Sequence, residues 1–312
     1  MTLSSNLIHG LHAMSVGGAP LFLEALQQCL IFLPITLGIY LTYSIVRITD
    51  LTVGGSYGLG AAIFAKLLTS GVPEVIALVF AMLGGLLAGL GVFALQKFAK
   101  INALIASILA VFMLFSINFG IMGQPNISLL SNSTLLNSLQ NLGQMQFNFA
   151  LLGLNLILLL GLFFLLKSSF GLRLRAYGSN PALLSRLGHS APFYLAFGLI
   201  LSNVLAAFCG VMSAEINGYA DIHMDDGVAL TAIGSVVIGG QLMRSLFVRS
   251  KVTPIWMELS GCVLGAFIYF LALHIFLTLN LNPIYLKLCL GLLLAGFLST
   301  ANYSREKGVQ YE

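Results

Sequence analysis

Long apolar blocks separated by short polar segments run through this chain from about residue 22 to about residue 300. Blocks of roughly 17 to 25 apolar residues are long enough to cross a bilayer as helices. The blocks are continuous, whereas the strands of a membrane barrel alternate between apolar and polar positions. The pattern therefore predicts nine helical spans, near residues 22–46, 54–70, 73–96, 101–123, 150–167, 192–216, 226–243, 255–279 and 284–300.

Composition agrees with this pattern, because 58% of the residues are hydrophobic, 8% are charged and the mean hydropathy is +0.99. Ordinary soluble domains carry roughly 25% charged residues. Within a bilayer, helices satisfy all of their backbone hydrogen bonds internally. We therefore expect an all-α polytopic membrane protein, in which residues 1–312 form a single transmembrane domain.

The basic residues predict the side of the membrane on which each loop lies, since Lys and Arg are retained in the cytoplasm. We place the polar, cationic segment 175–195 inside. Most of the other basic residues then lie inside as well, and only Lys66 and Lys287 fall towards the outside. The N-terminus is expected outside, with residues 1–21 as an external segment, and the C-terminus inside, with residues 301–312 as a cytoplasmic tail.

Four spans precede the helix predicted at 150–167, and four follow it with opposite orientation. This 4+1+4 arrangement is that of an inverted-topology repeat, with residues 22–123 and 192–300 as its two halves. The segments that begin at Asp50 and Asp221 each carry an acid, a small residue six positions later and a leucine nine positions later. Three matches in ten positions are also compatible with chance. Short, Gly-interrupted segments at equivalent places in two repeats nevertheless indicate a transport pathway.

Polar residues near these interrupted segments are the candidates for such a pathway. The acidic residues lie at or near the predicted span ends, which leaves the span middles without a site for a driving ion. Uncharged polar residues within the spans are expected mainly to form helix contacts, although two or three could line a path for a small neutral or zwitterionic solute. The weaker candidates for this path are Asp50, Gly54, Gly55, Ser56, Tyr57, Asn118, Asp225, Asp226 and Gly227.

The sequence lacks the common motifs of nucleotide binding and catalysis. It contains no GxxxxGK[ST] loop for nucleotide phosphates and no HExxH or GxSxG motif. Its four cysteines lie in apolar runs without metal-ligand spacing, so we expect packing residues rather than a zinc site or disulfides. We expect no enzyme activity, metal or cofactor in this chain; if ATP drives it, another subunit binds the ATP.

The cationic segment between the fifth and sixth predicted spans contains a short predicted helix at residues 181–187. Asn180 is a favoured N-cap, Pro181 suits the first helical position and Gly188 suits the end. A capped helix of two turns is suited to docking into a groove of a soluble protein. We therefore expect the loop 168–191 to contact a soluble partner.

Three stretches carry a family resemblance: RAYGSNPA at 175–182 followed by Gly188, DLTVGGS at 50–56, and SINFGIMGQPNISLL at 116–130. They resemble the permease subunits of ATP-binding-cassette (ABC) importers of the branched-chain amino acid and ribose group. Within this group the closest likeness is to a branch named for tryptophan or tyrosine transport. That branch commonly has Asp where this chain has Gly54.

The resemblance implies a single permease domain in a bacterial inner membrane, surrounded by lipid. It implies pairing with a second copy, with two cytoplasmic ATPase subunits that hold the ATP, and with an extracytoplasmic solute-binding protein, but not with nucleic acid. Closure of the ATPases would push on the helix at 181–187 and move the two repeats. The residues expected to couple to the ATPase are Gly178, Asn180, Pro181, Ala182, Arg186 and Gly188.

The expected function is import of a small polar solute, in particular an amino acid, with sugars and nucleosides also open. Two alternatives stay open: an ion-coupled secondary transporter, which would need a titratable site within the spans, and a membrane scaffold without transport. The uncharged segment 124–149 is expected outside, either as a site for an external partner or as a solvated connector.

Overall fold

The computed structural model describes residues 2–131, 134–246 and 254–279, together with the single positions 288, 291, 292, 295 and 296. Helices dominate this part of the chain, and its two strands are three residues long each. The predicted all-α class is confirmed. The chain divides into two compact units, of which the larger is Ile31–Ile233 and the smaller combines Met1–Leu30 with Gly234–Glu312.

The π-helical segment of the structure continues the first helix directly. In chain order the elements are α1 (Thr2–Ile39), the π-helical segment (Tyr40–Val46), α2 (Thr52–Thr69), α3 (Glu74–Lys97), α4 (Ala103–Met122), β1 (Asn126–Ser128), α5 (Leu135–Leu142), α6 (Gln144–Lys167), α7 (Ser169–Ser179), α8 (Pro181–Arg186), α9 (Ala191–Asn217), β2 (Tyr219–Asp221), α10 (Val228–Leu246) and α11 (Ile255–Thr278).

Seven helical stretches within the described residues are long and apolar enough to cross a membrane, which confirms the predicted multi-pass class. They are Leu21–Val46, Glu74–Lys97, Ala103–Met122, Met145–Lys167, Ala191–Asn217, Val228–Leu246 and Ile255–Thr278. The predicted second span corresponds to α2, an 18-residue helix that is not among these seven. Every residue of α2 from Thr52 to Ala62 is buried. The predicted ninth span, 284–300, lies largely outside the described residues.

Glycines bring the helices of the larger unit into close contact. α2 lies among α3, α4 and α9, and α3 also packs on α9. A Cβ added at Gly60 of α2 would collide with the backbone of Ala207 in α9, and one added at Gly85 of α3 would lie 2.6 Å from the carbonyl oxygen of Asn203. In membranes, small residues permit this approach of helix backbones, and van der Waals packing then holds the helices together.

Gly60→Ala is expected to destabilise the protein, because the added methyl group has no space against the backbone of Ala207. Overpacking of this kind typically costs about 1–3 kcal/mol. Thermal unfolding of the purified protein in detergent measures the loss. The matched control is Gly153→Ala in α6, where an added Cβ meets no atom within 4 Å. Equal melting temperatures for the two variants would contradict the close crossing of α2 and α9.

The smaller unit uses the same kind of contact. In α10 and α11, a Cβ added at Gly239 would collide with the backbone of Gly261. Phe22 of α1 packs edge-to-face on Phe267 of α11, with ring centroids 5.1 Å apart. A close glycine contact thus connects α10 to α11, and an aromatic pair connects α1 to α11.

Three of the four cysteines fall within the described residues, and all three are buried free thiols. The sulfur of Cys209 lies 3.2 Å from the carbonyl oxygen of Ile31, and that of Cys29 lies 3.9 Å from the carbonyl oxygen of Val263. These thiols pack against helix backbones, as the sequence predicts for them.

Two short strands join the segment after α4 to the segment after α9. Ile127 pairs with Ala220 in antiparallel register, and both side chains are buried. Asn126 Nδ2 donates to Asp221 Oδ2 at 3.3 Å. The predicted outer loop 124–149 contains β1, α5 and the beginning of α6.

Candidate functional site

The chain turns sharply between the π-helical segment and α2. Arg47 closes the π-helical segment in the left-handed conformation, with φ of 61°, and its backbone N–H donates to the carbonyl oxygen of Thr42. π-Helices are rare and occur frequently at functional sites, and a non-glycine residue with positive φ is uncommon. This turn carries Asp50 into the interior of the larger unit, where its exposure is 1%.

Asp50 is held by hydrogen bonds from two elements. Its Oδ1 accepts from the backbone N–H of Thr52 at 2.9 Å, at the start of α2. Its Oδ2 accepts from Asn203 Nδ2 of α9 at 3.0 Å. The same amide nitrogen donates to Leu199 O at 2.8 Å, and Asn203 Oδ1 accepts from Ser56 Oγ at 2.6 Å. Asn203 therefore connects α9 both to the turn before α2 and to α2 itself.

These donors to Asp50 are neutral, although a buried carboxylate is costly to desolvate. Ionisable residues within a membrane domain are rare and are functional candidates by default. The sequence places Asp50 at the end of a span, and the structure instead places its side chain in the packed interior. Among the acidic side chains that the structure describes in the larger unit, Asp50 is the most deeply buried, with 1% exposure against 8% for Glu215.

A cavity of about 260 Å³ lies where the first turns of α2 and α10 approach each other. Its lining includes Gly54 and Gly55 of α2 and the run from Asp225 to Gly227 before α10. A Cβ added at Gly58 would lie 2.9 Å from the side-chain amide of Asn118 and 3.4 Å from the Cβ of Asp225. The glycine face of α2 thus makes room for both Asp225 and Asn118.

The structure brings many of the predicted pathway residues together, although they come from distant parts of the sequence. Gly54, Gly55, Asp225, Asp226 and Gly227 line the same cavity. Ser56 and Tyr57, which are also predicted pathway residues, lie on other faces of α2. Ser56 donates to Asn203, and Tyr57 stacks on Phe32 with ring centroids 5.9 Å apart. The sequence indicates the right segments, but it does not indicate which face of α2 is open.

Asn118 of α4 is buried against the backbone of α2. In the amide orientation that satisfies both of its ends, the nitrogen donates to Leu114 O at 3.1 Å and the oxygen accepts from Leu59 N at 3.3 Å. This side chain therefore ties α4 to α2 directly behind the cavity.

Burial raises the pKa of Asp225 to about 6, the neighbouring Asp226 raises it as well, and His223 lowers it. The imidazole Nδ1 of His223 lies 3.6 Å from Asp226 Oδ2. The carboxyl group of Asp225 therefore changes charge near pH 6, within the cavity and outside the membrane-spanning stretches.

Asp225→Asn is expected to remove a pH dependence of stability between pH 4 and pH 6. In this window the folded protein keeps the Asp225 proton that the unfolded chain, with a pKa of 3.8, has released. Stability therefore falls as the pH rises towards 6 and levels off above it. Melting temperatures in detergent from pH 4.5 to pH 8 measure this slope. Asp226→Asn should shorten the slope without removing it, because Asp226 raises the pKa of Asp225. A slope unchanged in Asp225→Asn would contradict the burial of this carboxyl group.

The predicted docking helix forms as α8, Pro181–Arg186, and is capped as predicted. Asn180 Oδ1 accepts from the backbone N–H groups of Ala182 and Leu183, both at 3.1 Å. Gly188 follows the helix with φ of 79°, a conformation that favours glycine. One side chain, Leu184, anchors the helix in the protein and is 1% exposed.

The remainder of α8 is exposed, and it combines apolar and cationic side chains. Pro181, Ala182 and Arg186 are exposed, as is Gly188 after the helix. Leu183 and Leu187 are 47% and 65% exposed. A small mixed surface of this kind is suited to a protein groove.

Gly178 lies at the end of α7, on the side that faces the protein. A Cβ added there would collide with the carbonyl oxygen of Ile45 in the π-helical segment. The next residue of that segment, Val46, has its Cγ2 atom 2.7 Å from the position of a Cβ at Gly198 in α9. α7 therefore connects the exposed helix α8 to the turn that carries Asp50.

The sequence does not single out Asn203, which it presents as one of several polar residues within spans. The close contact of α7 with the π-helical segment is also absent from the sequence-based expectation. One available signal is the run of small residues at Gly198, Ser202 and Ala206 on α9, which indicates a close helix contact without naming its partner.

A polytopic helical protein with a cavity at the first turns of two helices has an arrangement that membrane transport proteins use to bind their substrates. The chain belongs to the family of permease components of branched-chain amino acid transport systems, whose model matches residues 21–298. It is therefore the permease component of a transport system of the ABC type, and a transport component rather than an enzyme.

Three curated proteins are similar to this chain. An uncharacterised protein of Rickettsia prowazekii (strain Madrid E) is 43% identical over 286 residues, which cover 92% of this chain and 99% of that protein. The tyrosine transport system permease protein of Clostridioides difficile (strain R20291) is 33% identical over 284 residues, covering 90% and 91% of the two chains. A nucleoside ABC transporter permease protein of Lactococcus lactis subsp. cremoris (strain MG1363) is 30% identical over 112 residues, covering 36% and 32%. No solved structure matches the chain.

Proposed function

We propose that this chain is the permease of an ABC importer that moves an amino acid into the cytoplasm of a bacterium. It works as one of two copies in an inner membrane, with two cytoplasmic ATPase subunits and an external solute-binding protein. The N-terminus is external, and α8 lies on the cytoplasmic side because it belongs to the cationic segment. ATP is bound and hydrolysed on the partner subunits.

The cavity at the first turns of α2 and α10 supports a role in translocation. Glycine-interrupted helices that meet at one place are typical of transporter substrate pathways. The cavity volume of about 260 Å³ is close to that of the smallest ligand pockets, which hold roughly 300 Å³. Asp225 and Asp226 offer carboxylates to an ammonium group, and Phe112 and Leu230 offer apolar contact.

An amino acid is the proposed cargo for two reasons. The family takes its description from amino acid transport, and a relative that covers nearly the whole chain is named a tyrosine permease. An acidic pair beside an apolar wall also suits a zwitterion whose side chain is apolar or aromatic. Nucleosides, which the shorter match suggests, are the alternative cargo.

The observation that carries the proposal is the continuous packing from the exposed helix to the cavity. α8 follows α7, whose Gly178 packs on Ile45 of the π-helical segment. That segment leads to the turn with Asp50, which bonds to the first turn of α2. α2 in turn lines the cavity through Gly54 and Gly55. A push on α8 therefore reaches the cavity through contacting groups, without a flexible linker.

The direct test is to co-express the chain with the P-loop ATPase and the binding protein encoded beside it. We expect stoichiometric co-purification with the ATPase and ATP-dependent uptake of radiolabelled tyrosine in proteoliposomes. Uptake should be insensitive to ionophores, and an ATPase variant that cannot hydrolyse ATP is the control. A chain that never binds the ATPase would overturn the proposal.

The buried carboxylate of Asp50 favours one second candidate, an ion-coupled secondary transporter, because such a carrier needs an ionisable group within the membrane domain. In that case Asp50→Asn would abolish uptake driven by an ion gradient, and this uptake would persist without ATP. The same proteoliposomes distinguish the two mechanisms, since gradient and nucleotide can be supplied separately.

A further inference from the structure

An apolar groove of about 400 Å³ runs between α3 and α4, with α2 as its floor. Its walls include Leu87, Gly91 and Leu95 of α3 and Met113 and Ile117 of α4. Every lining residue is glycine, alanine, an aliphatic residue or methionine. Both walls belong to membrane-spanning stretches, so the groove opens in the hydrocarbon part of the bilayer.

The length of the groove matches one leaflet. On α3 it extends from Gly84 to Leu95, a distance of about 16 Å at 1.5 Å per helical residue. This is about half of the roughly 30 Å hydrocarbon core. A single extended acyl chain that enters from one leaflet therefore spans the groove from end to end.

Positive charge collects at the end of the groove beyond Leu95. Lys97 places its ammonium group 5.3 Å from the ring centroid of Phe98, which continues the groove face of α3. Lys100 follows in the short turn to α4 and is exposed. The first turn of α4 adds the partial positive charge of a helix N-terminus. Within the described part of the chain, neither lysine forms an ion pair.

We propose that this groove binds the acyl chain of an anionic phospholipid, whose phosphate lies at Lys97, Lys100 and the first turn of α4. The apolar lining takes the tail, and the cationic end selects the headgroup charge. The lipid fills the space between α3 and α4 above α2, and it thereby supports a helix that also lines the cavity.

A lipid fits this groove better than a helix from a second copy does. An apolar helix would leave Lys97 and Lys100 without a counter-charge, whereas the phosphate of an anionic lipid supplies one. The charge at the end of the groove therefore favours a lipid.

The test uses the full-length protein in detergent and phosphatidylglycerol with a photoreactive group in its acyl chain. Cross-links should map to α3 and α4 beside the groove. Phosphatidylcholine with the same photoreactive group should cross-link to α3 and α4 much less. Cross-links spread evenly over all of the membrane-facing helices would overturn the proposal.

Two variants with matched controls separate the tail site from the headgroup site. Gly91→Phe fills the groove without a backbone clash, since an added Cβ at this position meets no atom within 4 Å. The control is Gly120→Phe in α4, because this position has equal space but lies outside the groove. We expect native mass spectrometry to show that Gly91→Phe loses the bound lipid and that Gly120→Phe retains it. Equal retention in both variants would contradict an acyl chain in the groove.

Lys97→Gln combined with Lys100→Gln is expected to weaken phosphatidylglycerol binding about 25-fold, at roughly fivefold for each lysine near an anionic lipid. Phosphatidylcholine binding should change little. The control is Lys167→Gln, because Lys167 also lies over an aromatic ring, at 5.8 Å from Phe163, but ends a different helix. An unchanged preference for phosphatidylglycerol in the double variant would contradict the headgroup site.

Discussion

Replacing Asn180 with alanine and Pro181 with glycine is expected to abolish the coupling of ATP hydrolysis to solute uptake, while the chain still inserts into the membrane. The side chain of Asn180 accepts two backbone hydrogen bonds at the start of α8. Loss of such a cap costs about 1 kcal/mol. Replacement of proline by glycine costs about 1 kcal/mol more through the entropy of the unfolded segment.

A loss of about 2 kcal/mol lowers the ratio of helix to coil about 30-fold. A helix of six residues has little stability of its own, and a single buried side chain, that of Leu184, anchors this one. α8 therefore unfolds in the variant, and a disordered segment cannot transmit the movement of a docked ATPase.

The measurement is the number of solute molecules taken up for each ATP hydrolysed, in proteoliposomes that contain the permease and its ATPase. We expect this ratio to fall at least about tenfold, while ATP hydrolysis by the complex continues. Ser185→Ala is the matched control, because the hydroxyl of Ser185 donates to the carbonyl oxygen of Pro181 within the same helix. A wild-type ratio in the Asn180–Pro181 variant would mean that α8 is not the contact.

Local signals in the sequence predict part of this site well. The cap of α8 depends on neighbouring residues, so Asn180, Pro181 and Gly188 are sufficient to place it. The spans also follow from local composition, because the bilayer imposes a length on each apolar block. The glycines at 54 and 55 mark an interrupted segment, and the structure gives them a place at the cavity.

The partners in the interior are less predictable, because the sequence separates them widely. Asp50 and Asn203 are 153 residues apart, and several other polar residues in the spans were equally plausible partners. Runs of small residues indicate that another helix packs closely. They do not identify that helix, because apolar packing is non-directional. The pairing of β1 with β2 has the same difficulty, since each strand is only three residues long.

Asn203→Leu is expected to destabilise the larger unit severely. The change leaves Asp50 Oδ2 without its donor from α9 and Ser56 Oγ without its acceptor, in a region that excludes water. Each unsatisfied buried group costs about 1–3 kcal/mol, so the two together cost about 2–6 kcal/mol. The yield of folded protein and its melting temperature in detergent measure the effect. Asn217→Leu on the same helix is the control, because Asn217 bonds to Ser213 within α9.

An exchange of the two side chains separates structure from function at this network. Asp50→Asn combined with Asn203→Asp keeps one amide and one carboxylate in contact, and the carboxylate at 203 can still accept from Ser56. We expect the exchange to recover part of the stability that Asn203→Asp alone loses, because the single change places two carboxylates about 3 Å apart. The hydrogen bond from residue 203 to Leu199 O is lost in both proteins. If the negative charge must lie in the turn before α2 for movement to reach the cavity, the exchanged protein will be stable but will not transport. Full transport by the exchanged protein would instead assign Asp50 to packing, and the path from α8 to the cavity would then depend on the contact between Gly178 and Ile45.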